Sequence, residues 1–341
     1  MFHLNTFAMK HYKYFVGIDV SKTSLDVFIH SLNLHRQLSN NRSGYDTLIR
    51  WLSRSLETDD LSRVLVCFEH TGFYSLALSV YLEEKDITFA MVAALELKRS
   101  MGICRGKNDR VDAQRIANYT YLHRQTLQPT RLPAKAVLQL QPLLALRDRL
   151  VRDRVGYYVT QKEQRRFLLP CQLDGLQDAY ANVISCMDAQ IKRVEQAIRQ
   201  VVEDDQELKQ MLELISGIKG VGFLVGVYLI TYTHNFTRFA TWRKFACYAG
   251  IAPFEWQSGT SVRGKTKVSP LANKQVKKML HMAALGASRG DPELSAYYQK
   301  RLAEGKNKMC VLNMVRNKLV ARVFAVAARK TAYVELMRYA A

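Results

Sequence analysis

The stretch YFVGIDVSKTSLDVFIH, residues 14–30, determines the fold that we expect. It opens with a short apolar run that ends in an acid, Asp19. Its second half alternates, which places Leu25, Val27 and Ile29 on one face of a strand. Two strands at the start of the chain predict a sheet, and Asp19 at the end of the first is a candidate for chemistry.

More strands and helices follow this stretch. The patterns predict a strand at 34–40, a helix at 41–56, a strand at 62–70, a helix at 74–85 and a strand at 87–93. The buried strand at 62–70 carries a second acid near its end, Glu69. Three strands and then alternating strands and helices predict an α/β fold with a mixed sheet. A helix resumes at Asp109, with Val111, Ile116 and Tyr119 predicted on its apolar side.

The middle of the chain is helical. Residues 136–169 and 188–215 are long amphipathic segments separated by "PCQLDG", which predicts a helical hairpin. Such a hairpin is either an antiparallel coiled coil that serves assembly or an internal packing pair, and the sequence leaves both open.

A glycine-rich turn comes next, in "SGIKGVGFLVGVYLI" (216–230). Helix, glycine turn and helix together are typical of a helix-hairpin-helix, in which backbone N–H groups approach a phosphate. Its candidate nucleic-acid contacts are Gly217, Lys219, Gly220 and Gly222. A plain tight turn is the alternative.

The last third is mainly helical and basic. A Gly/Ser/Thr-rich basic loop is predicted at 257–270, before a helix, and the tail at 297–338 is also predicted to be helical. Candidate phosphate contacts in this part are Arg263, Lys265, Lys267, Lys274, Lys277 and Lys278, with Lys107 further upstream. The domains that we predict are 1–130, 131–212 and 213–341.

The charge indicates the class of partner. The 341 residues carry a formal charge of +20, and residues 256–330 hold 16 Lys/Arg against three acids. Nucleic acid is the favoured partner, and a generally basic surface is the alternative. No apolar run is long enough to span a membrane, and no secretory signal is recognisable. The six scattered cysteines favour a reducing compartment, so we expect a bacterial cytoplasmic, nucleoid-associated protein.

Four acids are candidates for a metal site. Asp19 and Glu69 end buried strands, and Asp109 and Asp112 share a helix face. Ligand sites gather at strand ends in open α/β sheets, and oxygen ligands suit Mg²⁺ or Mn²⁺. Clustered carboxylates also need a cation. Ordinary ion pairs, such as those with Arg110 or Arg115, are the alternative.

Several motifs together resemble a known family. The segments "GIDVSKTSLDV" (17–27), "FEHTG" (68–72), "KNDRVDAQRIA" (107–117), "ISGIKGVG" (215–222) and "FACYAGIAPFEWQSGTSVRGKTKVS" (245–269) resemble, in order, the motifs of the DEDD transposases. These are insertion-sequence recombinases guided by a bridge RNA, related to pilin-gene invertases. Two departures are Asn108, where the family often has Thr, and His70, where Ala is common.

The resemblance implies a fold and a mechanism. It implies a RuvC/ribonuclease H-like domain in which Asp19, Glu69, Asp109 and Asp112 are the catalytic, Mg²⁺-binding tetrad. It also implies a C-terminal transposase domain in which Ser258 forms a phosphoserine link to DNA. The partners that it implies are target and donor DNA, a structured guide RNA, and further subunits in a homodimer or homotetramer.

The residues alone leave the nucleophile and the RNA open. Thr260 and Ser261 share the loop with Ser258, and no neighbouring His is available as a base. Exposed aromatics such as Tyr157, Tyr158 and Trp256 could stack on bases. The rival functions are a metal-dependent nuclease that uses water, an invertase without guide RNA, and a non-catalytic nucleic-acid-binding regulator. An ATP-using enzyme of the same fold is disfavoured by the charge and by the lack of a P-loop pattern.

Overall fold

The structure is a computed structural model that describes residues 11–100, 102, 108–258 and 262–334. Its chain forms two compact units, Met1–Leu132 and Pro133–Ala341. The predicted division into three domains, with a separate oligomerisation region, stays a prediction.

The first unit is built on a five-stranded mixed sheet. Its elements in chain order are β1 (Tyr14–Val20), β2 (Ser24–Ile29), β3 (Leu34–Ser39), α1 (Arg42–Leu56), β4 (Val64–Glu69), α2 (Phe73–Glu84), β5 (Phe89–Val92), α3 (Ala94–Ser100) and α4 (Asp109–Leu122). The sheet order is β3-β2-β1-β4-β5, with β1, β2 and β3 antiparallel and β1, β4 and β5 parallel. The predicted mixed sheet with helices is confirmed.

The two faces of the sheet pack against different helices. The predicted face of β2, with Leu25, Val27 and Ile29, is buried with residues of α1 and α2 in one core. The other face packs against α4, where Phe28 contacts Ala113 and Ala117. The prediction that Val111 lies on the buried side of α4 is wrong, because its side chain is 37% exposed. Small residues give this face its close fit, and the apolar pattern of larger residues does not reveal it.

Gly17 brings α4 directly onto the sheet. A Cβ atom at Gly17 would lie 2.2 Å from the backbone nitrogen of Ala117 and 2.4 Å from the carbonyl oxygen of Ala113. No side chain fits in that space, since real Cβ contacts are longer. The backbone of α4 therefore rests on β1, and the first turn of α4 is held in a fixed position relative to Asp19.

The second unit is mainly helical. Its helices are α5 (Lys135–Phe167), α6 (Pro170–Leu173), α7 (Leu176–Glu203), α8 (Gln206–Ser216), α9 (Phe223–Thr233), α10 (Trp242–Tyr248), α11 (Lys274–Gly290), α12 (Pro292–Ala303) and α13 (Lys308–Arg329). Residues from α5 and α7 share one core with α8, α9, α11 and α13. The base of the helical hairpin is thus built into the same core as the C-terminal helices.

The helices α5 and α7 form an antiparallel arm. Arg147 Nε donates to Glu195 Oε1 at 2.7 Å, Arg154 Nε donates to Asp188 Oδ1 at 2.5 Å, and Arg165 Nε donates to Gln177 Oε1 at 2.5 Å. A step of seven residues along α5 is matched by seven back along α7, and the next step of eleven is matched likewise. Regular cross-links therefore fix the register of the arm.

The predicted helix at 188–215 is wrong in its extent. The observed α7 begins at Leu176 and ends at Glu203, and α8 is a separate helix. Asp205 accepts hydrogen bonds from the backbone N–H groups of Glu207 and Leu208, so it caps the start of α8. The apolar periodicity runs on through this junction and hides it, although Asp is a favoured helix-starting residue.

The predicted loop at 257–270 is wrong for most of its described residues. Residues Pro253–Ser258 form β6 and Val262–Val268 form β7, an antiparallel two-stranded hairpin. The alternating β-branched residues of β7 favour a strand, and this signal outweighs the glycine and serine content.

Candidate active site

The two strand-end acids lie side by side at the carboxyl ends of the neighbouring strands β1 and β4. Ile18 of β1 pairs in parallel with Phe68 of β4, and Asp19 and Glu69 are the next residues of their strands. The helix α4 packs against β1 and β4, and Asp109 and Asp112 occupy its first turn. The strands β1 and β4 and the helix α4 thus bring the four predicted acids together at the carboxyl ends of these two strands.

The pKa of Asp19 reflects both its burial and its acidic neighbours. It is raised from 3.8 to about 6, first by burial and then by the negative charges of Asp109, Asp112, Asp26 and Glu69. Desolvation and like charges both disfavour an ionised carboxylate. All four predicted acids therefore belong to one electrostatic cluster.

The two helix acids have different surroundings. Asp112 is half-buried, and its Oδ1 accepts a hydrogen bond from Arg115 Nη1 at 2.8 Å. Asp109 is exposed at the first position of α4. Asn108, one of the two departures from the family pattern, caps this helix, because its Oδ1 accepts from the backbone N–H of Arg110 at 3.0 Å. The ion pair with Arg115 thus engages one of the two acids.

The donor set suits a hard divalent cation. All four side chains offer only oxygen atoms, which are the ligands that Mg²⁺ and Mn²⁺ prefer. Within the described ranges, no three Asp, Glu, His or Cys side chains are arranged as a finished metal site. The residues fit a cation because their ligand atoms are oxygens and because a cation would relieve the repulsion between the carboxylates. Their side chains would have to move closer together to bind it.

Asp26 is a fifth acid that the sequence reasoning missed. It pairs directly with Asp19 across β1 and β2, and it is only 4% exposed. His35 Nε2 lies 2.8 Å from its Oδ1, and Gln37 Nε2 donates to its Oδ2 at 3.2 Å. The alternation of β2 carries the signal, because Asp26 falls between Leu25 and Val27 and so faces the opposite side of the strand.

The predicted nucleophile lies in the second unit. Ser258 is the last residue of β6, and Arg263 lies in β7, but the side chains of both are outside the described part of the structure. Lys265 and Lys267 of β7 are exposed. Lys107, Thr260 and Ser261 also fall outside the described residues. The basic side chains described on this hairpin are therefore available to a phosphate backbone.

The root of this hairpin is fastened to α13. The side-chain amides of Asn313 and Asn317 both donate to the carbonyl oxygen of Ile251, at 2.8 Å and 3.0 Å. Ile251 is fully buried and lies two residues before β6 begins. The start of β6 is thus held at a fixed place on the helical core.

The glycine turn joins α8 to α9. Gly220 has a φ of +91°, and a Cβ there would lie 2.5 Å from the carbonyl oxygen of Ala283 in α11. Gly220 is therefore required by the packing of the turn on α11. Gly217, Lys219 and Gly222 are exposed, and a Cβ at Gly222, which precedes α9, would meet open space.

The remaining candidates lie on exposed surfaces. Lys274 and Lys278 are exposed at the start of α11, and Lys277 is partly buried. Tyr157, Tyr158 and Trp256, named as possible stacking residues, are all exposed. No helix in the described part of the chain is long and apolar enough to cross a membrane.

Two family models match this chain. The model for the DEDD transposase domain of IS110 elements, described as "Transposase", matches residues 16–168. A second model, described as "Transposase IS116/IS110/IS902 family", matches residues 212–299. The first match includes all four acids, and the second includes the glycine turn and the β6–β7 hairpin.

Similar proteins come from several bacteria. The chain is 25% identical over 325 residues to the pilin gene-inverting proteins of Moraxella lacunata and Moraxella bovis, covering 92% of this chain and 95% of theirs. It is also 26% identical over 161 residues to an uncharacterised 43.6 kDa protein of the insertion element IS110 from Streptomyces coelicolor. That match covers 47% of this chain and 38% of the relative.

Proposed function

The chain belongs to the IS110 family of transposases, enzymes that recombine DNA, and we propose that it acts through a phosphoserine intermediate at Ser258 and a divalent cation. The cation, Mg²⁺ or Mn²⁺, is held by Asp19, Glu69, Asp109 and Asp112. The first unit is then a RuvC-like domain, a proposal that the sheet order β3-β2-β1-β4-β5 supports.

One arrangement carries the metal-site part of the proposal: Asp19 and Glu69 end the paired strands β1 and β4, and the first turn of α4 brings Asp109 and Asp112 to them. The pKa of Asp19 is raised to about 6 by burial and by four neighbouring carboxylates, two of them from α4. Clustered carboxylates at the ends of β1 and β4 repel each other, so the cluster does not stabilise the fold. Such a cluster has a purpose if a cation binds there during function, and perturbed groups of this kind concentrate at functional sites.

The bound cation would supply charge neutralisation for the phosphodiester under attack. The four acids bind and orient it, and Asp26 adds negative charge from the neighbouring strand. Arg115 holds the side chain of Asp112 in one direction. Burial, and after it the neighbouring carboxylates, raise the pKa of Asp19 to about 6, and a bound cation would favour its ionised form.

The serine step conserves the energy of the DNA phosphodiester in a protein–DNA phosphoester. The Ser258 hydroxyl oxygen forms a bond to phosphorus, and its proton passes to a carboxylate or to water. The bond from phosphorus to one deoxyribose oxygen breaks, and that oxygen takes up a proton from a carboxylic acid or from water to become a hydroxyl. A deoxyribose hydroxyl from the partner strand then attacks the same phosphorus, and the serine oxygen leaves and regains a proton. No external energy source is required, because each step exchanges one phosphoester for another.

The guide RNA and the assembly are part of the same proposal. We propose that a structured RNA pairs with target and donor DNA, and that the arm of α5 and α7 assembles a homodimer or homotetramer. The net charge of +20 supports a large nucleic-acid partner. Sequencing the RNA that co-purifies with the protein tests the guide: a discrete species complementary to two DNA sites is expected, and bulk RNA would contradict it.

The nucleophile is tested by trapping an adduct. Wild-type protein and labelled DNA with Mg²⁺ should give a covalent complex that survives denaturation, and Ser258→Ala should give none. Thr260→Val and Ser261→Ala are matched controls from the same segment, and both should keep the adduct. Cleavage by Ser258→Ala at the wild-type rate would instead support a nuclease that uses water.

The metal site is tested by separating binding from cleavage. Asp112→Asn should stop cleavage while DNA binding persists, since the change removes charge but keeps shape. Unchanged recombination would contradict the metal site and favour a regulator that only binds nucleic acid.

Site-specific inversion without guide RNA is the second candidate function. Two relatives that align over 92% of this chain are called pilin gene-inverting proteins. A reporter with a segment between inverted sites distinguishes the two, because an invertase flips the segment in the absence of any element-encoded RNA.

A further inference from the structure

The β6–β7 hairpin carries two large exposed aromatic side chains. Trp256 is 72% exposed and Phe254 is 47% exposed. Neither belongs to a hydrophobic cluster of the described residues. The other two tryptophans, Trp51 and Trp242, pack against cores. One of the three tryptophans thus lies largely in solvent, on a strand where it joins no core formed by the described residues.

The backbone opposite Trp256 is shaped to accommodate the indole. Trp256 pairs across the hairpin with Gly264, and a Cβ there would lie 3.0 Å from Trp256 Cδ1 and 3.2 Å from Trp256 Cβ. A Cβ at position 264 would require the indole to shift by a few tenths of an ångström. Gly264 thus leaves room for the indole at this position.

We propose that Trp256 stacks on a DNA base next to the phosphate that Ser258 attacks, with that base unstacked from its duplex neighbour. The proposal rests on the proposed role of Ser258. Trp256 is a positioning residue in it, because it contacts the base and not the reacting atoms. Every base has a π face, so such a contact is tolerant of sequence.

The spacing along β6 supports this assignment. Positions 256 and 258 are two residues apart in β6, which is about 7 Å along a strand. Bases in a duplex rise by about 3.4 Å along each strand. A base held at position 256 therefore belongs to a nucleotide within about two steps of a phosphate at position 258.

The charge of the hairpin supports a nucleic-acid occupant. Lys267 pairs with Phe254 across the hairpin, and Lys265 lies next to Gly264. Both lysines are exposed, and Glu255 is the one acid in the two strands. Aromatic rings beside a row of cations form the usual surface for a single strand, in which bases stack and phosphates meet lysines.

The experiment measures tryptophan fluorescence during titration with single-stranded oligothymidylate in the full-length protein. Wild-type emission should be quenched, and the quenching should disappear in Trp256→Phe, which keeps an aromatic ring. By fluorescence anisotropy of labelled DNA, Trp256→Ala should bind about 5- to 150-fold more weakly, the range for removal of one stacked base. Trp256→Phe should bind close to the wild-type level.

A second variant keeps the tryptophan and moves it. Gly264→Val should also weaken binding, because its Cβ and methyl groups crowd the indole. Circular dichroism and thermal unfolding check that each variant is folded. Equal DNA affinity for Trp256→Ala and wild type would overturn the proposal. So would an emission shift that depends on protein concentration without DNA, because a second copy would then cover the hairpin.

These results are independent of the nucleophile. All binding measurements are repeated in the Ser258→Ala background, in which no adduct forms. Normal adduct formation without Trp256 quenching would overturn only the stacking role. Quenching without a Ser258-dependent adduct would leave Trp256 as a base contact and overturn the proposed mechanism.

Discussion

At the residue scale, Gly17 and Asp19 stand two positions apart in β1 and have complementary roles. Gly17 admits the backbone of α4, and Asp19 receives the charges that α4 brings. The distance between α4 and β1 therefore influences how far the carboxylates of Asp109 and Asp112 raise the pKa of Asp19. A change at either position should alter both stability and chemistry.

Gly17→Ala should destabilise the first unit by about 1–3 kcal/mol, because the new Cβ forces α4 away from the sheet. The measurement is urea unfolding followed by circular dichroism. Gly156→Ala is the matched control, since a Cβ at Gly156 in α5 meets nothing within 4 Å. It should be neutral or stabilising by up to about 1 kcal/mol. Equal destabilisation by both changes would contradict the close-approach argument.

Asp19→Asn should stabilise the protein in chelator at a pH well above 6. The native pKa of Asp19 is raised above its unfolded value, so its ionisation penalises the fold. That penalty is present above about 6 and is relieved as the pH falls towards 3.8. After solvent screening, the gain should be on the order of 1 kcal/mol.

Thermal unfolding at two pH values checks this prediction. The advantage of Asp19→Asn should vanish near the unfolded pKa of 3.8. Added Mg²⁺ should raise the melting temperature of the wild type more than that of the variant. A variant that is less stable than wild type in chelator at high pH would refute the charge-cluster argument.

At the scale of elements, a polar cluster joins three helices of the second unit. The Tyr228 hydroxyl of α9 donates to Asp148 Oδ1 of α5, and Gln275 Nε2 of α11 donates to the same oxygen at 2.6 Å. Burial raises the pKa of Asp148 above its usual range. The arm, the glycine-turn helices and the helix that follows β7 are thus connected through one carboxylate.

Tyr228→Phe should cost about 1–3 kcal/mol, because it removes a donor from a half-buried carboxylate. Thermal unfolding followed by circular dichroism measures the effect. Tyr158→Phe, on an exposed part of the arm, should change stability by less than about 0.5 kcal/mol. If Tyr228→Phe and Tyr158→Phe lower the free energy of unfolding equally, the hydrogen bond to Asp148 does not contribute specifically to stability.

The elements also show which features the sequence could predict. The alternation of Leu25, Val27 and Ile29 indicates the sheet, since apolar patterning acts within one strand. The exposed Val111 escapes prediction, because small residues of α4 make the contact with the sheet. The strand pair at 253–268 escapes prediction, because its glycine and serine residues obscure the β-branched alternation of β7. The four acids can be grouped by strand ends and a family resemblance, whereas the contribution of Asp26 needs the register of β1 and β2.

At the scale of the whole molecule, charge governs the approach of DNA. The net charge is +20, and the segment 256–330 is strongly basic. Counterion release makes such binding depend steeply on salt. Affinity and specificity are therefore expected to separate, with lysines supplying the first and base contacts contributing to the second.

Lys265→Gln with Lys267→Gln should flatten the salt dependence of duplex binding. The slope of log K against log salt should fall in magnitude by about 0.9 for each phosphate that the lysines no longer neutralise. Anisotropy titrations over a range of salt concentrations measure it. Lys85→Gln, at an exposed position of the first unit, is the control and should leave the slope unchanged if the hairpin binds the phosphates. An unchanged slope in the double variant would place the phosphates elsewhere.

The cross-links of the arm constrain how its length can evolve. Equal steps along α5 and α7 separate Arg147–Glu195, Arg154–Asp188 and Arg165–Gln177. An insertion in one helix alone would put every cross-link beyond it out of alignment. Natural length variants should therefore carry compensating insertions or deletions of the same size in both helices. The lengths of α5 and α7 are therefore coupled, and the arm can lengthen or shorten only when both helices change together.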